Sequence, residues 1–286
     1  MTSQVCRFTV VSTIAILLTG SVSPVTAGDP RPESSNGVLR LNLRTRVQPF
    51  KGSDLWEVVA VRKDIPARET AIIICDMWDK HWCQMASERC DAIAKKMGPI
   101  IDAARSHGVQ IIHAPSDCMD FYKDTPQRKR ILEAAKVQPP KPLVIAEPKL
   151  PIDDSDGGCD DLQPAKSYKA WSRQHAAIPI ADPDVISDKG DEVYSLLKQK
   201  GIKNLIVMGV HTNMCVLGRS FTIRQMSRWG IRCVLVRDLT DSMYNPKKAP
   251  YVSHEQGTEL VVHHIEKYWC PSILSGDLKE LHPSPR

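Results

Sequence analysis

The sequence predicts an α/β protein, a doubly wound parallel sheet of the Rossmann-like kind with a short β extension ahead of it. Three observations carry this. Apolar, largely β-branched runs recur at Thr70–Cys75, Val109–His113, Leu205–Met208 and Ile231–Val236, and each reads as a strand buried on both faces. Segments of helical period alternate with those runs, the pattern of right-handed βαβ units. The run at Leu205 ends in Gly209-Val-His-Thr-Asn-Met-Cys215, a strand–turn–helix passage that places a cysteine at the carboxyl edge of the sheet, where ligands bind in such folds.

The first 27 residues read as a secretory signal, with one basic residue (Arg7), no acidic residue, an apolar core from Val10 to Leu18 and a small-residue site at Val25-Thr-Ala27. The apolar run is short for a membrane span. Cleavage after Ala27 removes Arg7 and Cys6, so the net charge falls from +5 to +4 and eight of the nine cysteines remain. An oxidising destination, secreted or periplasmic, permits disulfides. Cys83, Cys90, Cys118, Cys159 and Cys270 lie near loops or helix ends and are the candidates; Cys75 and Cys233 lie inside strands and read as core. No CxxC pair suggests structural zinc. Lys and Arg are scattered, so nucleic acid is not an expected partner, and the mature form is not expected to bind a membrane. A homo-oligomer is compatible with the sequence, but no stretch specifies an interface.

Residues 28–37 are polar and rich in Pro and Gly, a linker. Leu39, Leu41 and Leu43 then alternate with polar residues, and a second alternating stretch runs from Trp56 to Val61. With Lys51-Gly52 between them they predict a hairpin, so residues 28–68 form a linker and β extension ahead of a main domain over 69–276, with 277–286 as a tail. The strand at Thr70 closes on Asp76, followed by Trp78, His81 and Trp82. A helix spans about Ser87 to His107 and stops at Gly108. Ala114–Lys166 is irregular, with a helix at Pro126–Lys136 and an acidic stretch, Asp153–Asp161, that matches a calcium loop poorly and reads as a lid. Tyr168–Ile180 is extended, and a helix runs from Ser187 or Asp188 to Lys200. After Cys215 a single helix is expected over Val216–Trp229. The strand at Ile231 ends by Asp238, with a strand-end loop to Pro246. A last amphipathic helix, Ser253–Tyr268, precedes a short strand at Ser272–Leu274.

A thiol at a helix N-terminus is favoured as thiolate, and Asp76 on the same sheet edge can act as its base. Backbone N–H groups of the turn from Val210 to Cys215 can hold an oxyanion. The residues Trp78, Trp82, His113, Phe121 and Tyr122 are candidates for the walls of a substrate pocket.

Four passages resemble the isochorismatase-like cysteine hydrolases, a family that includes nicotinamidases and N-carbamoyl-amine amidases. They are Ala71-Ile-Ile-Ile-Cys-Asp-Met77, Leu205 to Val216, Gly230 to Asp241, and the closing helix with His254, so the resemblance spans roughly residues 69–276. It implies a Rossmann-like sheet and an Asp–Lys–Cys triad with Asp76 and Cys215 as two members. It further implies a non-proline cis peptide before His211, with His211 and Cys215 at the oxyanion hole. The implied activity is hydrolysis of an amide-type C–N bond in a small molecule through a thioester. The triad lysine has no clear counterpart. Arg173, Lys169 and Lys189 are the candidates, and Arg173 fits the strand-end position best, although a guanidinium cannot shuttle protons. The nicotinamidase metal ligands also lack a match at His113-Ala-Pro-Ser-Asp117, so no metal and no other cofactor is expected. Two alternatives stand beside the thioester reading: acid–base hydrolysis by Asp76 without a covalent intermediate, and a secreted binding or structural protein that keeps the fold without turnover.

Overall fold

Alternating side chains of six parallel strands separate the two helical layers of the protein. The computed structural model describes residues 37–163 and 166–284, so the signal-peptide reading and all but the last residue of the linker lie outside the described residues. The predicted hairpin is β1 (Val38–Val47) and β2 (Glu57–Pro66), paired antiparallel in unbroken register from Val38↔Pro66 to Val47↔Glu57. The parallel strands are β3 (Thr70–Cys75), β4 (Gln110–Ala114), β5 (Val185–Ile186), β6 (Asn204–Val210), β7 (Arg232–Asp241) and β8 (Ser272–Ile273). They form one eight-stranded sheet in the order β2-β1-β8-β7-β6-β3-β4-β5. The hairpin continues the sheet, since β1 pairs antiparallel with β8 at Arg44↔Ser272. Of the predicted tail, Asp277 falls in a 3-10 turn and His282 pairs with Val38.

Even-numbered strand residues Ile72, Ile74, Ile206, Met208, Val234 and Val236 face α1 (Gln84–Ser106), packing on Ala94, Met97 and Ile101. Odd-numbered Ile73, Val207 and Leu235 face the opposite layer, where Val193 and Leu197 come from α4 (Gly190–Gln199) and Val261 and Ile265 from α7 (His254–Tyr268). This period of two, apolar on both faces, is what continuous hydrophobic strands require. Two short helices, α2 (Met119–Tyr122) and α3 (Pro126–Leu132), lie between β4 and β5. The β5 strand has only two residues, too short to leave a periodic signal, and the sequence does not reveal it.

Two elements differ from expectation. The strand β7 runs on to Asp241, through a register shift against β6 between Val207 and Gly209, where a strand-end loop was expected. The helix expected over Val216–Trp229 is two short helices, α5 (Cys215–Gly218) and α6 (Ile223–Arg228). The break falls at Arg219, whose backbone is extended (φ −64°, ψ 151°); its carbonyl accepts the Thr222 N–H three residues on, and the Thr222 hydroxyl also donates to the carbonyls of Cys215 and Arg219, a local side-chain bond that competes with helix. Among the candidate cysteines, Cys83 and Cys159 form a disulfide, while Cys90, Cys118 and Cys270 are buried free thiols.

Where β6 meets β3, Gly209 has φ +118°, and a Cβ there would stand 2.0 Å from the Cys75 carbonyl oxygen. Only glycine lets the two backbones approach this closely one residue before Asp76. Gly209→Ala should therefore destabilise the protein by roughly 3 kcal/mol or more, read as a fall in the urea midpoint at unchanged slope; a midpoint within error of the parent would contradict this packing.

Candidate active site

The carboxyl ends of β3 and β6 bring Asp76 and Cys215 together. Asp76 is fully buried and holds a left-handed backbone, φ 47°, a conformation that costs a non-glycine residue energy and is common at functional sites. Its N–H donates to the Ala114 carbonyl, and its carboxylate accepts from the Ser116 N–H at 2.8 Å. The Cys215 thiol lies near the same carboxylate, close enough for each group to shift the other's titration. The third partner is Arg219, whose Nε donates to Asp76 Oδ2 at 3.1 Å.

Arg219 is thus the cation of this site. Arg173 lies elsewhere: half-exposed, with Nε 3.9 Å from Asp79 and its guanidinium over the Phe121 ring at 5.6 Å. Lys169 donates to the Asp117 carbonyl, and Lys189 is the exposed N-cap residue of α4 beside Asp188. The sequence did contain a signal for Arg219, since it stands four residues after the cysteine and such residues share one helix face. What spacing could not show is the chain break that turns it back onto Asp76.

Burial governs the electrostatics. It pushes the Cys215 thiol up to about 12, and the negative charge of Asp76 adds to the rise while Arg219 opposes it. Burial also raises Asp76 above the usual carboxylate range, with Arg219 and the hydrogen bonds from Cys215 and Ser116 pulling it back. The expectation of a free thiolate is therefore corrected. The helix α5 is a single turn, and its end cannot offset a buried site with a carboxylate in contact. Burial and the nearby Asp76 carboxylate together favour the thiol form of Cys215.

The turn between β6 and α5 contains a cis peptide at Val210-His211. The His211 carbonyl accepts from Met214 N–H and Val216 N–H, and Thr212 N–H donates to the Asp241 carbonyl. Among the described residues, no backbone hydrogen bond of this turn uses the N–H of His211 or Cys215 as donor. Asn213 braces the turn, its amide reaching Asp154 and the Met243 carbonyl. The His211 ring is buried beside His81, ring centroids 5.1 Å apart, and burial brings their values down to about 3 and about 4, so both are neutral at pH 7.

The expected wall residues fall in different settings. Trp78 is buried and stacks on Trp171; Trp82 packs by the disulfide with Met243. His113 is wholly buried, its ring held between Gln174 and Asp184, and serves the core. Phe121 is exposed, whereas Tyr122 is buried with its hydroxyl accepting from the Gln174 N–H.

A second charged group supports the site. Asp241, at the end of β7, accepts from His254 at 2.9 Å and from Arg89 at 2.9 Å, and Arg89 also grips Asp160 through two nitrogens. Asp161 accepts from the N–H groups of Gln84 and Met85, capping α1 from the loop that the disulfide ties down. Cys83, Cys159 and Asp161 cluster closely enough to suggest metal ligands, but the disulfide removes both thiolates such a site needs.

This chemistry defines a class: an α/β protein with a cysteine–aspartate pair and an arginine on the carboxyl edge of its sheet. A family model described as the isochorismatase domain matches residues 188–251, the segment that holds Cys215, Arg219 and Asp241, so this part of the chain is similar to that family. No curated protein matches the sequence. Among solved structures it is similar to a cysteine hydrolase from Pseudomonas syringae pv. phaseolicola 1448A, at 16% identity, TM-score 0.47, covering 75% of this chain and 92% of that one. An isochorismatase-like hydrolase from Alkaliphilus metalliredigens is similar at 15% identity, TM-score 0.44, covering 74% and 96%.

The Asp241–His254 pair sets a pH window for stability. Burial alone would lower His254, but its bond to Asp241 raises it above 6.5; burial alone would raise Asp241, but His254 and Arg89 hold it below 3.8. The histidine contribution is complete below pH 6.5 and is lost as pH rises through its folded value. The aspartate contribution is complete above the ordinary carboxylate value and is lost as pH falls through its folded one. The pair thus stabilises most between about pH 4 and 6.5. The stability advantage of the parent over His254→Gln, from urea midpoints, should shrink between pH 6 and pH 9; a constant difference would contradict the pairing.

Proposed function

We propose that the protein is an exported hydrolase that cleaves a small amide-type C–N bond through a thioester on Cys215. The observation that carries this is the contact of the Cys215 thiol with a buried Asp76 carboxylate that Arg219 also grips. A thiol held near 12 attacks poorly by itself, so its proton must leave as the carbon–sulfur bond forms, and Asp76 is positioned to take it. The carbonyl oxygen then becomes an oxyanion facing the N–H groups of His211 and Cys215. As the C–N bond breaks, Asp76 returns the proton to the departing nitrogen. Water attacks the thioester, gives its proton to Asp76, and the acid leaves as sulfur recovers the proton. Arg219 does not exchange protons in this scheme; it keeps Asp76 ionised between steps.

The raised value of Asp76 favours one second reading, in which the protonated carboxyl acts as a general acid and no covalent intermediate forms. Cys215→Ala separates the two. The thioester route expects amidase turnover to fall by at least 1000-fold, and a substrate-sized acyl adduct should appear on Cys215 by intact mass after rapid acid quench. Turnover retained in the alanine variant would exclude the covalent route.

Arg219 sets the acidic limb of the rate profile. Because it holds Asp76 down against burial, Arg219→Gln should move that limb of kcat/KM to higher pH and lower kcat roughly 100-fold. Arg219→Lys should recover part of both. A limb that does not move would show that Arg219 does not act through Asp76.

A further inference from the structure

The hairpin ahead of the parallel strands ends the sheet with a bare edge. The strand β2 stands at one end of the strand order, and among the described residues only β1 pairs with it. Its outer N–H and C=O groups therefore face away from the sheet, and a row of such groups is a template for another strand. Proteins blunt edges of this kind with an internal proline, a bulge or an unmatched lysine. From Glu57 to Lys63 the strand has no proline, and its register against β1 runs without a bulge. All of that stretch is exposed except Val59, which is half-buried. Val58 and Val61 expose 54% and 51% of their surface, more than an edge strand facing only water needs to show.

The sequence of this edge is complementary to itself. Opposed residues of an antiparallel pair share a face, and the faces alternate with a period of two. A two-fold axis through Ala60 then sets Ala60 against Ala60 of a second copy, Val59 against its Val61, Val58 against its Arg62 and Glu57 against its Lys63. Symmetry repeats each contact, so the Glu57–Lys63 pair forms at both ends, and Val59 and Val61 of both copies gather on one face. Neither Glu57 nor Lys63 has an ion-pair partner among the described residues. Moving the axis to Val59 or Val61 would set Glu57 against Val61 or Ile65 and unpair both charges. The gathered valines extend an apolar row that Leu43, opposite Val61 in the hairpin, begins on β1.

We infer that β2 is the surface through which two copies of this chain associate, edge to edge, joining their eight-stranded sheets into one. The partner is a second copy because charge and apolar side chains match in a self-facing register. The paired stretch is short, so the interface is a small one and the dimer dissociates on dilution. The strands β1, β8 and β7 separate β2 from β6. The contact therefore does not reach Cys215, and it stands whether or not the amide chemistry does.

Sedimentation velocity on the purified protein should show a species of twice the protomer mass whose share grows with concentration. Glu57→Lys or Lys63→Glu turns both charge pairs repulsive at once and should weaken the dimer about tenfold. The double variant Glu57→Lys/Lys63→Glu restores both pairs and should return the parent affinity. Cross-linking reads the register. Facing residues of antiparallel strands have Cα atoms about 4.5–5.5 Å apart, inside the range of about 4.4–6.8 Å that a disulfide spans. Under mild oxidation Ala60→Cys should form a covalent dimer on a non-reducing gel, with the parent treated alike as reference. Val58→Cys, which faces Arg62 of the partner, should not. These positions are exposed, so circular dichroism should stay unchanged in every variant. A monomer at every concentration would overturn the proposal. So would a dimer that the single charge changes leave intact, or that Ala60→Cys fails to cross-link, since another surface would then hold it together.

Discussion

A carboxylate taken wholly out of water organises this protein. Asp76 has no access to solvent, and an isolated buried charge of that kind would neutralise itself. Its surroundings answer with a cation from one side, a thiol from another and a backbone N–H from a third. Ser116 reaches it from the end of β4, and Cys215 and Arg219 from the passage after β6, so the carboxylate is also the point where β3, the end of β4 and that passage are tied together. Removing any one donor leaves the others facing an unbalanced charge.

The arginine makes this variant of the site different in kind from one with a lysine. An ammonium can in principle give up a proton, whereas a guanidinium stays charged at every pH the protein meets. In the proposed reaction the proton traffic would then reduce to two groups, the sulfur and the Asp76 oxygen. Geometry permits this because the chain leaves the helix after Gly218 and re-enters one only at Ile223. A close contact maintains the break on its far side, where a Cβ on Gly190 would meet the Ser220 carbonyl at 2.3 Å. The start of α4 and the strand-like passage carrying Arg219 are packed backbone against backbone.

Behind the reactive turn stands a second, more polar layer. Asp241 accepts the Thr212 N–H through its carbonyl and engages His254 and Arg89 through its carboxylate. Arg89 extends the connection to Asp160, beside the Cys83–Cys159 disulfide. The disulfide encloses a loop of 76 residues in sequence separation, and a cross-link of that span contributes about 4 kcal/mol in the chain-entropy picture. Its position fastens the stretch from Pro139 to Gln163, which has little regular structure, to the start of α1.

Most of the architecture was legible in the chain itself. Unbroken apolar runs, such as Ile72–Cys75 and Leu205–Met208, can only be strands covered on both faces, and the alternation around Leu39, Leu41 and Leu43 could only be a hairpin with one buried face. That Asp76 and Cys215 lie close together was likewise legible from their positions at strand ends, because a doubly wound sheet gathers those ends on one edge. The rest was decided by contacts between residues far apart in sequence. Arg219 displaced Arg173 as the cation because a helix break, set by packing against Gly190 and by the Thr222 hydroxyl, has no signature in local period. The state of the thiol was decided the same way: a helix start alone argues for a thiolate, but desolvation depends on everything folded around the sulfur, and that quantity exists only in three dimensions.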